Sequence, residues 1–202
     1  MTIALLSILA YLLGAVPFGL LVAKLNGIDI RKKGSGNIGA TNVFRVVGKG
    51  WGIFTLVLDA LKGFIPAFYF SKLGNDIDPV YGVLFGFVAI IGHTFPVYLK
   101  FKGGKGVATS AGMLLGVAPV AVGVGLFFFI VTVVISRYVS LASILAAIAV
   151  GITVWVEGEK ALIVKIVLTV MSLLIVWLHR ANIKRLMNGT ENRFGKKKKE
   201  TA

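Results

Sequence analysis

The chain contains no cysteine. Disulfides, thiolate catalysis and cysteine-ligated metals are therefore excluded, although its compartment cannot be read from that absence. Histidine is almost as scarce, with only His93 and His179 among 202 residues. Asp and Glu number 8 against 22 Lys and Arg. Two distant histidines and so few carboxylates argue against a metal site, and nothing in the chain calls for another cofactor. The shortage of acid leaves a formal net charge of +14. On a soluble protein that excess would point to nucleic acid. Here 57% of the residues are hydrophobic and the mean hydropathy is +0.90, a membrane-like composition. The charge lies in loops and tail, so anionic lipid and anionic substrates are the expected partners, and nucleic acid is not. No length remains for a separate soluble domain. Residues 1–202 read as one integral-membrane domain, with 186–202 as a basic tail. The first apolar run has no basic region before it and no A-x-A-like site after it, so it reads as a retained span.

The expected fold is an all-α polytopic membrane protein. Span 1 covers about residues 2–24 and tolerates Gly14 and Pro17. Span 2 runs from about Trp51 to Phe70, with Trp51 and Tyr69 near its ends as interface anchors. Span 3 covers about 80–99, and the last two cover about 140–156 and 160–178. Residues 106–135 are ambiguous. As one helix they would extend ~45 Å, too long for a ~30 Å hydrocarbon core. Charge resolves the choice. Basic residues cluster in loop 26–50, in loop 100–105, at Arg137 and in the tail from Arg180 to Lys199. Asp76, Asp78, Glu157 and Glu159 fall in the other connections. Two short passes turning near Pro119 put every basic cluster on the cytoplasmic side. The reading is about seven transmembrane helices, N-terminus out and C-terminus cytoplasmic. No internal repeat is found. The GxxxG pairs Gly82/Gly86 and Gly112/Gly116 read as close helix packing. Lys196–Lys199 reads as a solvated, lipid-attracted tail.

Three polar, glycine-punctuated segments stand out in the basic loops. They are Gly34-Ser-Gly-Asn-Ile-Gly-Ala-Thr-Asn-Val-Phe-Arg45, Phe101-Lys-Gly-Gly-Lys105 and His179-Arg-Ala-Asn-Ile-Lys-Arg185. Gly34 to Gly39 formally matches G-x-G-x-x-G, but a membrane span precedes it and no βαβ unit surrounds it, so a dinucleotide site is rejected. The Walker pattern is absent as well. Backbone N–H groups at glycines, cations and short polar side chains together suit phosphate. Ser35, Asn37, Thr41 and Asn42 bring polar side chains and Arg45 a bidentate fork. Lys105 with Gly103 and Gly104, entering a helix with Thr109 and Ser110, places a cation at a helix N-terminus. His179 and Asn182 share a face if their helix continues. His93, in Gly92-His-Thr-Phe-Pro96, is either a structural hydrogen-bonding residue or part of the site. Asp59 and Lys62 read as a mutually satisfied intramembrane pair. Of Ser136, Ser140 and Ser143, helix capping explains one, and Ser143 is placed to face a polar cavity. No Ser-His-Asp or Cys-His nucleophile can be assembled.

Four ordered motifs resemble a known family. They are Ser35 through Arg45; Gly92-His-Thr-Phe-Pro96 through Phe101-Lys-Gly-Gly-Lys105 and Val107-Ala-Thr109; Ser136-Arg-Tyr-Val-Ser-Leu-Ala-Ser143; and His179 through Leu186, followed by Gly189-Thr-Glu191. The chain is similar, over nearly its whole length, to the bacterial membrane acyltransferases that use acyl phosphate to acylate glycerol 3-phosphate. The resemblance implies transfer of a fatty acyl group to give lysophosphatidic acid and inorganic phosphate, in the bacterial inner membrane with a cytoplasmic-side site. It also implies a soluble partner enzyme that supplies the acyl phosphate. On this expectation Arg45 and Lys105 hold phosphate, and Ser35, Asn37 and Ser143 donate hydrogen bonds. His179 and Asn182 orient the acceptor. Gly36, Gly39, Thr41, Asn42, His93, Gly103 and Gly104 complete the substrate-binding set. Direct attack is preferred to an acyl-enzyme, with His179 or the donor's phosphate oxygen as proton acceptor. Two other readings stand beside it. A carrier of an organophosphate anion would use the same cationic loops but would ordinarily show inverted repeats. A lipid-binding scaffold explains the tail but not the glycine loops.

Overall fold

The computed structural model describes residues 2–73, 77–158 and 160–195. Asp76, Glu159 and Lys196–Lys199, which entered the charge argument, lie outside the described residues, as does the end of the basic tail. Among the described residues the regular structure is entirely helical. The helices are α1 (Ile3–Ala15), α2 (Phe18–Leu25), α3 (Ala40–Val46), α4 (Lys49–Tyr69), α5 (Tyr81–Thr94), α6 (Val107–Val117), α7 (Pro119–Ser136), α8 (Val139–Val156), α9 (Leu162–Leu178) and α10 (Arg180–Met187).

Five stretches are long and apolar enough to cross a membrane: Ile3–Leu25, Lys49–Lys72, Tyr81–Leu99, Pro119–Ser136 and Val139–Val156. The pair α9 and α10, bent by 50°, makes a sixth if counted as one span. The expected count of seven is not reached by this measure because α6 has only 11 residues. At 1.5 Å per residue it extends about 16 Å, half of a ~30 Å core. Span 1 is also broken: Pro17 has no N–H to continue the ladder, and α1 and α2 meet at Val16–Pro17. The second break falls at Ala118, with Pro119 at the first position of α7, where a missing N–H costs nothing.

The packing fixes which way each helix runs. α5 lies beside α1, with Gly14 against Ala89 and Gly92 against Tyr11 and Ala15. α4 and α6 pack side by side, Gly63 against Thr109 and Gly112 against Ala60. Val117 at the end of α6 meets Gly82 at the start of α5, while Gly106 meets Ile90 and Thr94 near its end. α7 returns beside α8, and α8 pairs with α9, where Trp155 Nε1 donates to Thr169 Oγ1 at 2.9 Å. The connections 26–48, 95–106 and 137–138 and the segment after α9 thus gather at one end. Asp78 and Glu157 belong to the other. Both GxxxG pairs serve close packing: Gly82 and Gly112 lie against the Ala67 and Ala60 carbonyls, and Gly86 and Gly116 against the side chains of Met113, Ala67 and Phe68.

Gly63 tests this packing. A Cβ at that position runs into the Thr109 carbonyl oxygen, whereas one at Gly123 meets open space. Gly63→Val is expected to lower thermal stability in detergent by ~1–3 kcal/mol or to block accumulation. Gly123→Ala is expected to melt at or slightly above wild type, and equal melting of the two variants would refute the close-packed α4–α6 seam.

Candidate active site

The first loop is held from inside by Asn42. Its Nδ2 donates to the carbonyls of Ile30, Lys33 and Asn37 at 3.3, 3.0 and 2.8 Å, and its Oδ1 accepts the Ser35 N–H at 2.9 Å. Both ends of its amide are therefore spent on the loop. Asn42, expected in the substrate-binding set, uses its amide to shape the loop that borders the cavity. Asn37 Oδ1 likewise accepts the Gly39 N–H at 2.8 Å, which turns the chain into α3. From α3, Thr41 and Arg45 reach the cavity. Burial lowers the Arg45 guanidinium pKa against the opposing pull of Glu191.

The second loop is a tight, strained turn. Lys100 and Phe101 both adopt left-handed conformations, with φ of 51° and 61°, a region costly for residues other than glycine. The Gly103 N–H donates to the Thr94 carbonyl at 3.0 Å and the Gly104 N–H to the His93 carbonyl at 3.1 Å. The two glycine N–H groups expected to face phosphate are thus already bonded to the end of α5. What the turn presents is Lys105 and the first turn of α6, where helix geometry leaves N–H groups without intrahelical acceptors.

Lys105 Nζ donates to Asn182 Oδ1. Asn182 Nδ2 donates to Glu191 Oε1 at 2.7 Å, and Ser140 Oγ donates to the same oxygen at 2.9 Å. Arg185 Nε bonds Glu191 Oε2 at 2.6 Å. Burial pushes the Glu191 carboxyl up, but the hydrogen bonds from Asn182, Arg185 and Ser140 outweigh it and hold the pKa below the ordinary value. Burial lowers Lys105 to about 8, against Glu191 and with help from Arg185. Glu191, Ser140 and Arg185 were not picked out as site residues in the sequence. The available signal was the position of Glu191 in the last motif, an acid set among cations.

The chain bends by 50° at His179, so α9 does not continue straight to Asn182. The bend still brings both residues to the cavity. His179 Nδ1 lies 2.8 Å from the Ile175 carbonyl. A carbonyl only accepts, so Nδ1 carries the proton and Nε2 keeps its lone pair. Ser143 Oγ donates to the Val139 carbonyl at 2.9 Å, which spends its proton within α8 and leaves it an acceptor. Ser110 Oγ, in α6, is buried without a partner among the described residues and also borders the cavity.

Of the expected site residues, Ser35, Gly36, Asn37, Gly39, Thr41, Asn42, Arg45, His93, Gly103, Lys105, Ser143, His179 and Asn182 line a single cavity of about 680 Å3, and Gly104 alone stands outside its lining. The cavity has two characters. Its mouth is polar and rich in cations. Its depth is apolar, walled by Leu114, Val122, Phe129, Val150, Met171 and Ile175 from α6 to α9. Such a space can take an amphiphile with an anionic head. After the mouth, the chain folds back: the Phe194 N–H donates to the Arg137 carbonyl at 2.7 Å and its ring lies 5.2 Å from that of Phe44. Among the described residues no cluster of His, Asp and Glu has the form of a metal site.

The comparisons with known proteins agree in kind. The sequence profile of the family described as glycerol-3-phosphate acyltransferase matches residues 4–189. A glycerol-3-phosphate acyltransferase of Macrococcus caseolyticus is 49% identical over 98% of this chain and 100% of its own. One from Geotalea daltonii is 47% identical over 92% and 94%. Among solved structures, PlsY (YgiH), an integral membrane glycerol 3-phosphate acyltransferase, in its glycerol 3-phosphate form superposes with a TM-score of 0.90 at 43% identity, covering 96% of each chain. Its lysophosphatidic acid form gives 0.87 at 42% identity, with the same coverage.

The state of Lys105 is open to titration. Its ammonium form predominates below pH 8 and is lost as pH rises through about 8. Affinity for inorganic phosphate, followed by calorimetry, is expected to hold up to that pH and then fall by up to roughly tenfold per unit. Lys105→Arg should carry the plateau to higher pH. A flat profile through pH 9.5 in the wild type would remove Lys105 from the anion site.

Proposed function

The chain belongs to the glycerol-3-phosphate acyltransferase family, and from that premise we propose that it transfers a fatty acyl group from acyl phosphate to glycerol 3-phosphate. The products are lysophosphatidic acid and inorganic phosphate. The observation that carries this reading is the union of a cationic polar mouth with an apolar shaft in one cavity. Both substrates bear phosphate, and one also bears an acyl chain. The shaft takes the chain, and Arg45, Lys105 and the start of α6 hold phosphate. Asn182, fixed by Glu191, and His179 orient the acceptor.

Acyl phosphate is already activated, so the protein supplies mainly orientation and charge stabilisation. The acceptor hydroxyl oxygen attacks the acyl carbonyl carbon. The bond from that carbon to the phosphate oxygen breaks, and phosphate leaves with the electron pair. The hydroxyl proton ends on the departing phosphate, directly or by way of His179 Nε2. Four serines line the cavity, Ser35, Ser110, Ser140 and Ser143, and the two expected from the sequence, Ser35 and Ser143, have no base and orienting group arranged as a nucleophile requires. The basic end of the bundle is the cytoplasmic side of a bacterial inner membrane in this reading, with the N-terminus outside. A soluble enzyme delivers acyl phosphate there, and membrane lipid surrounds the rest.

Purified protein in detergent with acyl phosphate and glycerol 3-phosphate should release phosphate and lysophosphatidic acid together. Initial-rate lines should intersect, and rapid quench with acyl phosphate alone should show no phosphate burst and no acyl mass on the protein. A stoichiometric burst with an acylated Ser35 or Ser143 peptide would overturn direct attack. Solute flux in vesicles without turnover would instead identify a carrier. Orientation has its own check. Reporter fusions after Ala118 and after Phe194 are expected on opposite sides of the membrane, the latter cytoplasmic, and the same side for both would defeat the two-pass path of 106–135.

A further inference from the structure

Glu191 organises one side of the cavity, and a second polar group lies elsewhere in its lining. Asp59 and His93 both border the cavity. Asp59 Oδ1 is 2.8 Å from Lys62 Nζ, with side chains 3% and 1% exposed. Lys62 Nζ also donates to the Val16 carbonyl at 2.8 Å, at the break between α1 and α2. His93 Nδ1 stands 3.7 Å from the same Asp59 oxygen. The His93 imidazole lies directly against Gly104, leaving no room for a Cβ there, and the His93 carbonyl receives the Gly104 N–H. The next residue is Lys105.

An ion pair accounts for Asp59 and Lys62 as far as folding goes. It does not account for the place of Asp59 beside the cavity or for the imidazole between the pair and the glycine turn. Buried pairs rarely stabilise more than apolar packing of the same volume, and intramembrane charges usually serve function. We propose that Asp59, anchored by Lys62, is a positioning residue that acts through His93 to hold the Gly103–Lys105 turn, and with it the Lys105 ammonium, where it meets the phosphate of the acceptor. Neither Asp59 nor Lys62 touches substrate in this role. The role rests on the acyltransferase reading given above for what the site binds. A displacement of about 1 Å in a positioning element can cost ~10²-fold in rate, so a small shift of the turn is enough to matter.

The test separates position from stability. Asp59→Asn with Lys62→Met removes both charges together, which avoids stranding either one in the membrane. The double variant is expected to accumulate and melt near wild type, while its KM for glycerol 3-phosphate rises about tenfold or more, in keeping with a displaced phosphate contact. A purely structural defect would shrink the active fraction, lowering kcat and leaving KM alone. Wild-type kinetics in a folded double variant would overturn the proposal. If that protein does not accumulate, His93→Phe decides, since it keeps the ion pair and the ring volume but loses the nitrogen facing Asp59. The same rise in KM supports the proposal, and an unchanged KM overturns it. Wild type run alongside distinguishes the two levels. No lysophosphatidic acid from wild type defeats the acyltransferase reading, whereas normal product with unchanged KM in the variants defeats only the positioning role.

Discussion

One carboxylate holds the mouth of the cavity together. Glu191 accepts from Ser140 on α8 and from Asn182 and Arg185 on α10, and through Asn182 it reaches Lys105 before α6. Segments more than fifty residues apart are tied by two oxygens. The surroundings of Glu191 are cationic, so its carboxylate has several donors. It offsets the repulsion among Arg45, Lys105 and Arg185 while leaving the net field positive. The tail past Glu191 then closes against Arg137 and Phe44.

The helices that bring these groups together rely on missing side chains. Gly63 and Gly112 bring α4 and α6 into backbone contact, and Gly14 and Gly92 do the same for α1 and α5. Without water in the bilayer, apolar area offers no drive for helices to meet, and close van der Waals contact takes its place. Because α5 is fixed in this way, its last carbonyls stand where Gly103 and Gly104 can donate to them, and the turn carrying Lys105 inherits that position.

Much of this was legible in the sequence because it depends on composition and order. Hydropathy marked the long helices, Pro119 marked the turn after α6, and the basic clusters marked the end of the bundle where the site lies. The polar glycine segments supplied much of the cavity's polar lining. What was not legible depends on the direction in which a group points. Gly103 and Gly104 were expected to offer N–H donors to phosphate, and Ser143 a hydroxyl, but sequence does not reveal that the carbonyls of Thr94, His93 and Val139 have already taken them. Likewise Glu191 is distant in sequence from Lys105, and only the bend at His179 brings them into one network. The exact ends of α6 and α7 were also hidden, since apolar residues run on without interruption on both sides of Pro119.

The shortness of α6 shapes the cavity. It has 11 residues against 18 in α7, and the two meet at Ala118. At 1.5 Å per residue, α6 is therefore about 10 Å shorter along its axis than α7. The site is a well and not a surface patch. On the acyltransferase reading proposed above, the small anions would enter and leave by the same cationic mouth, while the apolar shaft below it keeps the acyl chain. On that reading, a departing phosphate would have to clear the mouth before the next acceptor could enter.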